Sequence, residues 1–318
     1  MSWMPFICLG SGLLLGCLSL PEKFVALVDK IVNVALILLM VVIGMNVGVN
    51  DSVMKNLPRI GVNCALMCLA AIFGSVILTV LLEKTIVPLD KLATLIASGD
   101  SGAGDVGVPD GSDENGGSAL LWIIPAGVIG GIGIGFFLLG PGNEGLLNVL
   151  LYGSLIVLYT GVGIGMGNNR GVFKYLKTLG FKVVLLALAV FFGSVGGGVL
   201  VGTLAGVPLE ICLIAPSGMG YYSMTGAFMT QNLGAEAGIY GFMVNVMRDF
   251  FTVLLLPILI RISKGSAVAS GAGGNMDTML VPIVKFLGQE IGLVAMVMGI
   301  ITTFSVPFIQ PMLLAWVK

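Results

Sequence analysis

Two aspartates, Asp249 and Asp277, stand inside the apolar C-terminal part of a chain whose other charges lie mostly in loops or at the ends of apolar stretches. One Asp at a bilayer centre costs about 2.5–3.5 kcal/mol on an insertion scale. Intramembrane carboxylates usually face a bundle interior or a watery cavity, where they bind ions, protons or charged substrates. Asn245 lies one helical turn before Asp249, and Arg248 adjoins it. Neighbouring helix residues point about 100° apart, so Arg248 need not share the Asp249 cavity. A structural ion pair of Arg248 with Asp249 or Asp277 is the competing reading. Burial and a nearby cation shift a carboxylate in opposite directions, and the sequence does not give the balance.

Two glycine-rich breaks flank these acids. Ala215-Pro216-Ser217-Gly218-Met219-Gly220-Tyr221-Tyr222-Ser223-Met224-Thr225-Gly226 interrupts one apolar stretch, with Ser, Tyr and Thr as side-chain partners for the freed backbone, and Ser270-Gly271-Ala272-Gly273-Gly274-Asn275-Met276-Asp277 interrupts another. Non-helical backbone at membrane depth persists only inside protein or along a water-filled cavity. Half-helix ends at such breaks suit the ammonium and carboxylate groups of a zwitterion. The candidate substrate- and proton-binding set is therefore Asp249, Asp277, Asn245, Ser217, Tyr222, Ser223, Asn275 and Arg248. The bland alternative is a Gly-rich helix-packing face.

The elements that must position these residues are membrane helices. The chain has 318 residues, of which 57% are hydrophobic and 10% charged, against about 25% charged in soluble domains. Its mean hydropathy is +1.08. A net charge of −1 gives no electrostatic support for nucleic-acid binding. There is no His, so proton coupling near neutral pH falls to carboxylates or Lys. Cys8, Cys17, Cys64, Cys68 and Cys212 form no CxxC pair, and neither a metal site nor a cofactor is expected. Leu14-Leu15-Gly16-Cys17 faintly spells a lipoprotein box, but no basic segment precedes it, and residues 3–20 read as a retained first helix.

The apolar stretches are 3–20, 24–49, 60–82, 119–139, 145–167, 181–205, 209–229, 235–262, 267–287 and 291–317. The fold class expected is an all-α polytopic membrane protein, with about eight transmembrane helices and two Gly-interrupted re-entrant hairpins. The first half repeats at an offset of 119 residues: Trp3 with Trp122, Gly12 with Gly131, Gly44 with Gly163, Asn50 with Asn169 and Lys55 with Lys174. Phe73-Gly74-Ser75-Val76 returns as Phe192-Gly193-Ser194-Val195. Each unit holds three crossings, an odd number, so the second enters from the opposite side as an inverted-topology repeat. A weaker repeat matches Ser217-Gly218-Met219-Gly220 with Ser270-Gly271-Ala272-Gly273, then Leu233-Gly234 with Leu287-Gly288 and Pro257 with Pro311. The expected units are 1–83 (three-helix repeat), 84–119 (cytoplasmic loop), 120–206 (inverted three-helix repeat) and 207–318 (two hairpin-plus-helix units forming the site).

Charge bias sets the orientation. With the N-terminus outside, Lys23, Lys30, Lys84, Lys91, Arg170, Lys174, Lys177, Lys182, Arg261, Lys264 and Lys285 face the cytoplasm, and Lys55, Arg59 and Lys318 face outward. Positive residues favour the cytoplasm, which places both termini outside. The glycine runs at 130–135 and 161–167 follow no strand and read as close helix packing rather than nucleotide loops. Gly102-Ala103-Gly104-Asp105 spells an intramembrane aspartyl-protease motif but falls in the polar loop.

At Ser217-Gly218-Met219-Gly220-Tyr221-Tyr222-Ser223, Asn245-Val246-Met247-Arg248-Asp249, Leu256-Pro257 and Asn275-Met276-Asp277-Thr278, the chain resembles the bacterial L-lysine exporter family of the LysO type. The resemblance is specific over residues 205–317. It implies export of L-lysine and its analogue thialysine in exchange for protons, through an essential acidic pair that carries over to Asp249 and Asp277. A member of that family has Glu as the first acid, where this chain has the shorter Asp249. The partners expected are L-lysine or a related amino acid, protons and the lipid bilayer of the bacterial inner membrane. A homodimer is an admissible assembly, and no enzyme activity or nucleic acid is expected. Competing functions are a sodium- or proton-coupled carrier of another cationic or zwitterionic metabolite, a cation channel, and an intramembrane aspartyl protease using both acids on water.

Overall fold

The fold is seen in a computed structural model that describes residues 4–18, 21–49, 51–86, 89, 114–139, 144–168, 181–276 and 278–317. Helices follow in the order α1 (Met4–Cys17), α2 (Glu22–Gly48), α3 (Asp51–Thr85), α4 (Glu114–Phe137), α5 (Glu144–Asn168) and α6 (Phe181–Leu204). Then come α7 (Leu209–Ser217), α8 (Tyr222–Leu233), α9 (Ala235–Ile262), α10 (Lys264–Gly271), a 3-10 turn at Ala272–Met276, α11 (Leu280–Leu287) and α12 (Gln289–Val317). No strand occurs among the described residues. Helix α4 starts at Glu114, inside the segment read from sequence as loop. Most of the expected 84–119 loop, together with Asp277, Asn169 and Lys174, lies outside the described residues.

Among the described residues, five helical spans are long and apolar enough to cross a membrane: Ala26–Gly48, Lys55–Thr85, Phe181–Leu204, Ala235–Ile262 and Glu290–Val317. Ala126–Phe137 and Gly145–Gly161 are shorter apolar helices. The outer faces stay apolar, with Phe73, Ile77 and Leu81 of α3 and Phe250, Val253 and Leu254 of α9 exposed. The opposite face of α3 buries Cys64, Met67, Cys68, Ile72 and Ser75. Exposed apolar faces around a close-packed interior are what a lipid solvent permits.

Small residues decide how closely the helices cross. At the α3–α6 crossing, a Cβ on Gly74 would fall on the carbonyl of Gly193, and a Cβ on Gly193 would fall on that of Gly74. Helix α1 meets α5 where a Cβ on Gly12 would lie 3.1 Å from Gly163 Cα. Helix α2 meets α4 where a Cβ on Gly44 would lie 3.0 Å from Gly131 Cα. Adding 119 to Gly12 gives Gly131, and subtracting it from Gly163 gives Gly44. The two contacts are therefore exchanged by the sequence offset, and Gly74 and Gly193 meet as each other's counterparts.

Candidate functional site

Helix α7 carries Pro216 in its last turn and ends at Ser217. Beyond it Met219 takes φ 49° and Gly220 φ 99°, both in the left-handed region that ends a helix. The second break shares the first step of this turn, because Ala272, aligned with Met219 in the weaker repeat, takes φ 46°, but Gly273, aligned with Gly220, does not take a positive φ. The backbones of the two breaks meet directly: Gly273 N–H donates to Met219 O at 2.8 Å.

Breaking two buried helices frees backbone groups that must find partners. Asn245, on α9, supplies them at the first break. Its Oδ1 accepts from Gly220 N–H at 2.8 Å, and its Nδ2 donates to Ala215 O at 2.8 Å and Gly241 O at 2.7 Å. At the second break Asn275 Nδ2 donates to Val268 O at 2.6 Å, and Thr303 of α12 donates to Gly273 O at 3.4 Å.

Asp249 is one turn beyond Asn245 and is buried. Its Oδ2 accepts from Thr278 Oγ1 at 3.1 Å. A Cβ on Gly274 would stand 2.7 Å from Asp249 Oδ1, and one on Gly220 would stand 3.5 Å away. The carboxylate thus lies against the glycines of both breaks, at the point where they touch. Absence of a side chain at 274 is what lets it sit there, whereas a Cβ at 220 would make only ordinary contact with it.

Arg248 points elsewhere. Its Nε donates to Ser270 O at 2.9 Å, Nη1 to Ser194 Oγ at 2.8 Å, and Nη2 to Ser75 Oγ at 3.0 Å and Ala269 O at 3.2 Å. All four acceptors are neutral oxygens. Ser75 and Ser194 are equivalent under the 119-residue offset, so the guanidinium spans the α3–α6 crossing and fastens α10 to it.

The remaining sequence candidates divide. Ser217 Oγ donates to Ile214 O at 2.7 Å in its own helix. The Tyr222 ring packs edge-on against Phe242 at 5.9 Å, and Ser223 is buried at the start of α8. Asp277 lies outside the described residues. Thr278 on Asp249, Thr303 on Gly273, and Gln310, whose Nε2 donates to Thr225 Oγ1 at 2.7 Å, were not among the site residues read from sequence. The available signal was polarity in an apolar helix: Thr303 and Gln310 lie two turns apart in α12.

The family model described as lysine exporter LysO matches residues 6–100 and 126–314. The chain belongs to that family. It is 29% identical over 156 residues to the lysine exporter LysO of Escherichia coli K12, covering 49% of this chain and 52% of that protein. It is 28% identical over 156 residues to the "Putative lysine exporter" of Haemophilus influenzae, covering 49% of this chain and 79% of that protein. The chain thus spans about half the length of the E. coli relative it matches. No solved structure matches it. Family membership and the apolar helices make this LysO-family chain a multi-pass membrane protein.

Proposed function

We propose that the chain exports L-lysine, and analogues such as thialysine, across the bacterial inner membrane in exchange for protons, with Asp249 and Asp277 as the shared site. The observation that carries this reading is the Asp249 carboxylate seated between two broken helices. Family membership and the names of both relatives support lysine as the substrate.

The chemistry follows from charge. Lysine at neutral pH carries two ammonium groups and one carboxylate. An ionised Asp holds an ammonium strongly where water is scarce. A protonated Asp is neutral and gives that attraction up. Cation and proton therefore exclude one another at the same oxygens, and their exclusion produces exchange. Arg248 spends four bonds on neutral oxygens, so its guanidinium is not hydrogen-bonded to the Asp249 carboxylate. The helix starts at Tyr222 and Leu280 offer positive dipole ends to the substrate carboxylate.

The architecture belongs to the same proposal: residues 1–83 and 120–206 form inverted three-helix units, 84–119 is cytoplasmic, and 207–318 holds the site. The exchanged glycine contacts Gly12–Gly163 and Gly131–Gly44 support the pairing of the units. The two helix–break–helix segments act as re-entrant hairpins, giving eight full crossings and both termini outside. Labelled lysine uptake into everted vesicles, with pH and sodium gradients imposed separately, tests the function. Acceleration by a pH gradient alone is expected. Acceleration by sodium alone would transfer the site to a sodium-coupled carrier.

A further inference from the structure

Gln310 is a polar side chain in an apolar helix, with 1% of its surface exposed. Only half of its carboxamide is used: Nε2 donates to Thr225 Oγ1 at 2.7 Å, whereas Oε1 is buried and accepts no hydrogen bond among the described residues. A buried carbonyl oxygen without a donor is costly, and lipid surroundings offer no water to relieve it.

Packing does not require the amide. In the weaker C-terminal repeat Pro311 aligns with Pro257, so Gln310 aligns with Leu256. Leu256 is equally buried and fills its place with hydrocarbon alone. The two positions have the same helical setting, yet only one carries an open acceptor.

Its surroundings lead to the carboxylate. Thr225 Oγ1 borders Gly218, where an added Cβ would run into it and would lie 2.7 Å from Asn245 Nδ2. Asn245 Oδ1 holds Gly220 N–H, and Gly220 borders Asp249 Oδ1. A row of polar neighbours thus runs along the first break from Gln310 to Asp249, hydrogen-bonded at Gln310–Thr225 and Asn245–Gly220 and adjacent at the other two steps. With Nε2 set on Thr225, the atom left open at its far end is the oxygen, which calls for a donor group on the ligand.

We infer that Gln310 is a second recognition point of the site, accepting a hydrogen bond from the α-ammonium of the amino-acid substrate through Oε1 while Asp249 holds the side-chain cation. This rests on the exporter reading above. Lysine, with ammonium groups at both ends of a flexible apolar stem, matches a row with an acceptor at each end. A substrate with a single ammonium leaves Oε1 unfilled and is discriminated against.

The test uses the purified full chain in proteoliposomes, with L-lysine and with 6-aminohexanoate, which keeps the carboxylate and the distal ammonium but lacks the α-ammonium. Gln310→Met keeps length and bulk and removes the acceptor. Its half-saturation concentration for lysine should rise about tenfold, and its preference for lysine over 6-aminohexanoate should fall by about the same factor. An unchanged preference overturns the inference, as does an equal loss for both substrates, which marks a structural role. If Gln310→Met does not fold, Gln310→Leu copies the residue present at 256. Thermal stabilisation of that variant by lysine should then fall to the level given by 6-aminohexanoate, and retention of the wild-type difference overturns the inference. A wild-type chain that moves no lysine under any gradient overturns the exporter reading and this inference with it. Wild-type lysine transport with an unaltered preference in the variant removes this inference alone.

Discussion

Replacing Arg248 with Met should damage stability and transport together, and the size of the damage follows from the bonds. Four charge-assisted hydrogen bonds are lost, each worth about 1.5–3 kcal/mol, or roughly 6–12 kcal/mol before any offset. Removing a buried cation recovers its desolvation penalty, which is several kcal/mol. Three of the acceptors also keep another bond. Ser75 Oγ still donates to Val190 O and Ser194 Oγ to Pro216 O, while Ser270 O still accepts from Thr252 Oγ1. The Ala269 carbonyl is left stranded, at about 1–3 kcal/mol, and the aliphatic stem of the Arg no longer packs. The net cost is about 2–4 kcal/mol, read as a fall of roughly 5–15 °C in the melting temperature of the detergent-solubilised protein. Ser75→Ala and Ser194→Ala, which each remove one guanidinium bond, should cost about 1–2 kcal/mol apiece. An Arg248→Met protein that melts with the wild type but no longer transports would refute the brace and return Arg248 to the transport site.

The other breaks and crossings make sharper single-residue tests. Gly274→Ala puts a methyl 2.7 Å from Asp249 Oδ1 and 3.0 Å from Thr278 Oγ1; transport should fall more than about tenfold, measured as vesicle uptake, with membrane insertion intact by immunoblot. Ala272 takes φ 46°, so Ala272→Val should cost about 2–3 kcal/mol in thermal unfolding while Ala272→Gly stays within about 1 kcal/mol of the parent. Gly74→Ala drives a methyl into the Gly193 carbonyl and should cost at least about 1–3 kcal/mol, seen as a lower melting temperature.

Local chemistry made some of this legible in the sequence and tertiary packing hid the rest. Pro216, Gly218 and Gly220 announce a helix that cannot continue, and the break falls there. The second break is present too, though its turning residue is Ala272, flanked by glycines yet itself carrying the left-handed backbone. The 119-residue offset paired Gly12 with Gly131 and Gly44 with Gly163, but it did not say that Gly12 touches Gly163. Asn245 was legible as a polar residue one turn from an acid; its service to Gly220 and Ala215 was not, because those partners are remote in sequence. Arg248 is the clearest case. Adjacent to Asp249 in the chain, it invites an ion-pair reading, and only the convergence of α3, α6 and α10 gives it Ser75, Ser194, Ser270 and Ala269 as acceptors. Gln310 escaped notice because one carboxamide in an apolar helix has no pattern until its neighbour Thr225 is known.

The central claim is that lysine and protons compete for the Asp249 carboxylate, and one paired measurement addresses it most directly. Asp249→Asn in proteoliposomes should abolish both lysine uptake driven by a pH gradient and proton movement driven by a lysine gradient. Asn keeps the shape of the side chain and can still accept from Thr278, but it carries neither charge nor an exchangeable acid proton. Because Asp249 accepts none of the four Arg248 hydrogen bonds, the melting temperature should stay close to that of the parent. Wild-type coupled fluxes in the Asn variant, or a loss of transport matched by an equal loss of stability, would contradict the account.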